Sequence, residues 1–159
     1  MAGRTRYGWR VSIAATFLVA ACGADEPAND PLLSPDHQDA LANGSAAPPA
    51  SALNRVMEII VDPNVPAAEK IALVEDSDAD RDVFTKIADQ GTATYRFIAP
   101  TSLAEPNESA HANVEVHRTS APVYSAEIPL IYDEGSWKIG KAAICPLLVT
   151  SSPMCQPSP

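Results

Sequence analysis

Several things are scarce in this chain, and each scarcity excludes something. Positive charge is short: 11 Lys and Arg stand against 20 Asp and Glu, a formal charge of −9. Phosphate backbones are bound through clustered Lys and Arg, so nucleic acid is not an expected partner. The apolar run Val11–Ala21 (VSIAATFLVAA) has no charge but is only 11 residues long. A membrane-crossing helix needs roughly 20, so a permanent transmembrane anchor is not expected either. Phosphate-cradling glycine loops and a nucleophile elbow are missing: no P-loop, no G-x-G-x-x-G and no G-x-S-x-G occurs. Histidine and cysteine number three each.

What is present at the N-terminus reads as an address. Met1–Arg10 carries Arg4, Arg6 and Arg10 and no acid, and the short apolar run follows, which is the pattern of a secretory signal. No two arginines are adjacent, against the twin-arginine route. The run closes on Leu18-Val19-Ala20-Ala21-Cys22-Gly23, which looks like the lipobox of bacterial lipoproteins. Small residues fit the peptidase groove, and the Cys22 thiol receives a diacylglyceryl group. Residues 1–21 are therefore predicted to be a lipoprotein signal peptide, and the mature chain to be held by palmitate-like acyl chains on the extracytoplasmic face of the cell membrane. Losing three arginines leaves 8 basic against 20 acidic residues, a net charge of −12.

Giving Cys22 to lipid leaves Cys145 and Cys155. They can pair outside the cytoplasm, closing a small loop worth roughly 2.5–3 kcal/mol; the alternative is two free thiols. Without nearby histidines they do not form a zinc set.

Residues 22–51 are rich in Ala, Pro, Asp, Asn and Ser, and read as a lipidated, disordered tether. A globular domain is expected over 52–150 and a Pro-rich tail over 151–159. Leu53, Val56, Met57 and Ile60 mark one face of a helix that ends at Asp62-Pro63. Pro66 opens a short second helix through about Val74, and Val83, Phe84 and Ile87 suggest a third over Arg81–Asp89. After Gly91 the period changes to two, giving strands over Thr92–Ala99, His111–Thr119, Val123–Tyr132 and Ser136–Ala143, with a hairpin turn at Asp133–Ser136. Leu147, Leu148 and Val149 are expected to pack back on the domain. Helices followed by antiparallel strands predict an α+β fold, with N-terminal helices packed on a curved four-stranded antiparallel sheet.

Little here is chemically pointed. Asp76, Asp78 and Asp80 have the opening spacing of a calcium loop, but Arg81 and Ile87 stand where that loop needs Gly and Glu. No metal or other cofactor is expected. His111 and His117 are on the strand face opposite Val114 and Val116, about 20 Å apart along a strand, and are predicted to face solvent. Glu115 and Glu127 also have outward parity. No catalytic residue emerges. Tyr95, Phe97, Tyr124 and Trp137 are candidates to line an apolar cavity between sheet and helices, or to fill a plain core.

The strand region has a recognisable pattern. Thr119-Ser120-Ala121-Pro122-Val123-Tyr124, Ile128-Pro129-Leu130, Glu134-Gly135-Ser136-Trp137-Lys138-Ile139 and Ala143-Ile144-Cys145-Pro146-Leu147-Leu148 together resemble the C-terminal domain of the mycobacterial low-molecular-weight secreted antigen family. Pro66–Glu75 is similar to a short helix of the same family, so the resemblance covers roughly Ala52–Leu148. It implies a cone-shaped α+β domain like that of nuclear transport factor 2 and the ketosteroid isomerases, with export and surface display. It implies no established activity and hands over no catalytic residue. The resulting expectation is a non-enzymatic cell-surface lipoprotein that binds or displays at the envelope. Alternatives are a carrier of an apolar small molecule and, behind it, a small-molecule isomerase or hydrolase.

Overall fold

A computed structural model describes residues 31–76, Phe84, 93–119 and 121–148, with backbone alone for Cys145, Pro146 and Leu148. Helices α1 (Pro35–Ala42), α2 (Ala50–Val61) and α3 (Ala67–Ile71) precede strands β1 (Ala93–Glu105), β2 (Ser109–Arg118), β3 (Ala121–Asp133) and β4 (Ser136–Ile139), and helix α4 (Lys141–Leu148) follows. The strands form one antiparallel sheet in the order β1-β2-β3-β4. This is the α+β arrangement that the change of period predicts.

The core lies between the helices and one face of the sheet. From α2 it takes Leu53, Val56, Met57 and Ile60, the four residues of the expected stripe, all buried. Asp62 caps the C-terminus of that helix, before Pro63. From the sheet the core takes Phe97, Val114, Val116, Ile128, Leu130, Trp137 and Ile139. Successive side chains in a strand alternate faces, so His111, Glu115, His117 and Glu127 take the outer face, as their parity requires. Glu134 and Gly135 both have positive φ (51° and 81°), the two-residue turn that suits a twisted hairpin. The expected third helix, Arg81–Asp89, lies outside the described residues apart from Phe84, which is buried.

Three expectations need correction. First, Pro35–Ser51 is not tether. Ser34 caps α1 through its side chain, and Leu41 is buried in the core. The loop after α1 is held by the sheet: the Trp137 indole Nε1 donates to the carbonyls of Asn43 (2.9 Å) and Ala46 (3.0 Å), and the Tyr132 hydroxyl donates to that of Ala42 (2.7 Å). Asn107 N–H donates to Gly44 O at 2.7 Å. A Cβ on Gly44 would stand 2.7 Å from Tyr132 Cζ, so only glycine fits this approach.

Second, β4 stops at Ile139 instead of Ala143. Gly140 lies against Pro129, where an added Cβ would come within 3.1 Å of the proline ring, and the chain turns there into α4. Ala143, Ile144 and Leu147 are then buried at helical spacing. Third, β1 runs past Ala99 to Glu105, through a cis Ala99–Pro100 bond. Proline is tolerated because β1 is an edge strand.

The α1 result can be tested by truncation. A chain starting at Ala52 should lose on the order of 3 kcal/mol relative to one starting at Pro31, because it exposes the Trp137 pocket and removes Leu41. Equal urea midpoints would mean that Pro35–Ser51 is a tether after all.

Candidate functional site

The four aromatic residues expected to line a cavity separate in the structure. Phe97 and Trp137, each 2% exposed, are core residues. Trp137 packs edge-on against Tyr132, with ring centroids 5.2 Å apart. Tyr95 is half-buried, and its hydroxyl donates to Leu147 O at 2.6 Å. Tyr124 has the parity of Ile128 and Leu130 but is 38% exposed, because β4 ends before reaching its level.

Tyr95 and Tyr124 share a register row through Val116. Arg118 organises that end of the sheet. One guanidinium nitrogen donates to Leu147 O at 3.2 Å, and the group lies 5.7 Å from the Tyr124 ring centroid. Cation and phenol thus meet the carbonyl end of α4, where the helix dipole favours positive charge. An apolar cleft of about 170 Å³ opens beside Tyr124, between β3 (Ala126, Ile128) and α4 (Ala142, Ala143, Leu147).

A second, larger cleft of about 440 Å³ is bordered by Val74, Asp76, Asp133, Glu134 and Lys138. Its carboxylates already have partners. Lys138 Nζ lies 2.8 Å from both Asp133 Oδ2 and Glu134 Oε2, and Lys141 Nζ is 3.9 Å from Asp76 Oδ2. Partial burial lowers the Lys138 pKa, but the two carboxylates outweigh it and raise the value overall. Glu75 accepts from the Lys141 N–H at 3.4 Å and so caps α4. The two strand histidines keep to the outer face, with His111 Nδ1 3.5 Å from Glu127 and His117 Nε2 3.6 Å from Glu115, whereas His37 lies on α1 with its Nδ1 buried. Among the described residues no cluster of His, Cys, Asp and Glu is arranged to hold a metal ion.

With this geometry in view, the comparisons with known proteins are specific. The model of the family described as "Low molecular weight antigen MTB12, C-terminal domain" matches residues 46–155. The chain belongs to that family. No curated protein matches it. The family match begins before Ala52, within the loop gripped by Trp137, and takes in the whole sheet and α4. This antigen family is a secreted one, so an extracellular or surface location follows from membership. Cys22 and Cys155 lie outside the described residues, and no side chain is described for Cys145.

Sequence reasoning missed the polar anchors of the domain. Asn54 on α2 takes both backbone groups of Phe97: its Oδ1 accepts from Phe97 N–H at 2.6 Å, and its Nδ2 donates to Phe97 O at 3.3 Å. Lys70 is 1% exposed, with Nζ donating to Asp62 O. An Asn within an apolar helical stripe was the available signal for the first; nothing in composition marks the second.

These anchors carry a pH signature. Burial pushes the Tyr95 hydroxyl above its usual 10, against the attraction of Arg118. As pH rises past 10 the unfolded chain ionises first, so the stability this group contributes is complete below that pH and lost above it. Burial lowers the Lys70 ammonium, against Asp62. The folded chain therefore deprotonates first, and this group's contribution grows as pH climbs towards 10.5. Tyr95→Phe should cost about 1 kcal/mol at pH 7 and flatten the alkaline loss. A melting curve at pH 10–11 with the same slope as wild type would refute the assignment.

Proposed function

We propose that this chain is an extracytoplasmic lipoprotein, anchored through Cys22, whose domain is a non-enzymatic binding or display module at the cell envelope. The observation that carries the non-enzymatic part is how the domain uses its interior polar side chains. Trp137, Tyr132, Tyr95, Asn54 and Lys70 each donate to a backbone carbonyl of the same chain. These groups position backbone, and the outward Glu115 and Glu127 lie beside His117 and His111 on the outer face of the sheet. Membership of a secreted antigen family and the lipobox ending in Cys22 support the location.

Carriage of an apolar small molecule has less support. Phe97 and Trp137 fill space that a ligand between sheet and helices would need, and about 170 Å³ beside Tyr124 is below the roughly 300–1,000 Å³ of ligand pockets. An isomerase or hydrolase would need an uncommitted acid or histidine in a larger space; in the cleft of about 440 Å³, Asp133 and Glu134 are held by Lys138, and Asp76 lies 3.9 Å from Lys141.

The test is the intact mass of the protein purified from its own host's membranes in mild detergent. The expected species starts at Cys22, carries acyl chains, and is two hydrogens light for a Cys145–Cys155 bond. Cys22→Ser should leave the membrane fraction. A mass that retains Met1–Ala21, or lacks lipid, would defeat the anchoring. A dissociable mass of a few hundred daltons would bring the carrier reading forward.

A further inference from the structure

The sheet treats its edges unequally. On β1, the Asn54 amide occupies the N–H and C=O of Phe97, and the Thr101 hydroxyl is engaged with Pro48 O at 2.8 Å. On β4, Ile139 N–H donates to Leu73 O, and Glu75 N–H to Ile139 O, both at 3.0 Å. β3 is different. Its pairing with β4 covers only Leu130–Asp133, and the last bond in that lane is Gly140 N–H to Pro129 O at 3.0 Å. Alternate residues of an antiparallel strand direct both backbone groups to the same side. Tyr132 N–H donates to Glu108 O, on the β2 side, so even-numbered residues face β2. Ser125 and Glu127 therefore present N–H and C=O outward; beyond Tyr124 a register shift against β2 breaks the alternation. Among the described residues nothing pairs with them on that side.

This stretch also carries the exposed large apolar side chains of the described residues, Val123 (54%) and Tyr124. The apolar cleft runs alongside it, walled by Ala142, Ala143 and Leu147. An unpaired strand edge beside a helix wall is the geometry by which domains take up an extended peptide.

We propose that β3, at Ser125 and Glu127, accepts an extended peptide of another protein in the lane that β4 leaves empty. The peptide residue opposite Glu127 lies on the outer face, where it meets the one charged side chain of Ala121–Pro129. Its two neighbours point with Ala126 and Ile128 into the cleft, which has room for small apolar groups. Charge selects the occupant. A second copy would bring together two mature chains of net charge −12, whereas Lys or Arg opposite Glu127, flanked by small apolar residues, complements it. This inference rests on the binding-module reading and assigns its surface.

The experiment pans a phage-displayed library of random ten-residue peptides on the protein purified from its host, counter-selecting on Ser125→Pro. Proline there removes an outward N–H and leaves the bonds to β2 in place. Enriched peptides should carry a basic residue between small apolar ones. A synthetic copy should bind at least tenfold more weakly to Ser125→Pro and, on the wild-type protein, protect the amides of Ser125 and Glu127 from hydrogen exchange. Should Ser125→Pro fail to fold, Glu127→Lys replaces it, and selection should then turn to acidic peptides. Absence of enrichment, or equal binding by Ser125→Pro, overturns the proposal. So does self-association lost in the variant, which makes a second copy the occupant. Edge amides already protected in the free protein also overturn it, since the chain's own 149–159 segment would then cover the lane. None of these outcomes touches the lipid anchor, which the intact mass decides separately.

Discussion

The indole N–H of Trp137 is the contact on which most of the domain depends. It comes from the shortest strand, only four residues long, and reaches two carbonyls in the loop between α1 and α2. One donor thus fixes where α1 ends and where α2 begins. The position of α2 in turn sets Asn54 against Phe97 and so closes the β1 edge. Tyr132 supports the arrangement twice, by packing edge-on against the indole and by donating to Ala42 O. Leaving the indole N–H of the buried Trp137 without a partner costs about 1–3 kcal/mol, an appreciable part of the 5–15 kcal/mol by which a domain is ordinarily stable.

The same economy explains the opposite end of the sheet. Arg118 and Tyr95 both spend their polar groups on Leu147 O, which moors the far end of α4 below β1 and β2. Since α4 starts at Lys141, just after Gly140 beside Pro129, and finishes at that moored end, it crosses beneath β3 without covering its edge. β4 is too short to cover it either. The exposed Tyr124 and the apolar cleft are consequences of those two facts.

Much of this was legible in the sequence. The apolar stripe of α2, its stop at Asp62, the alternation of all four strands and the turn at Glu134-Gly135 follow from periodicity and turn chemistry, because each is decided by nearby residues. α1 was not legible: it buries a single residue, Leu41, in a segment otherwise composed like a linker, and what orders it comes from Tyr132 and Trp137, some ninety residues away. α4 was hidden because Pro146 reads as a stop, yet the helix continues through it. Tyr124 shows the limit of parity. Alternation identifies the face on which a side chain lies, but the lengths of neighbouring elements decide whether anything covers that face.

The docked α1 also changes the height at which the domain is held. Arg55 Nε donates to Leu32 O at 3.0 Å, and Leu33 packs on the core, so the fold takes hold of the chain by Leu32. A fully extended chain spans about 3.5 Å per residue. A lipid on Cys22 would then leave a leash of roughly 35 Å, where a tether reaching Ser51 would give roughly 100 Å. If Cys22 is lipidated as proposed, that shorter span is the limit of the domain's reach from the membrane. Under that reading, a partner would have to approach within the same distance of the membrane surface.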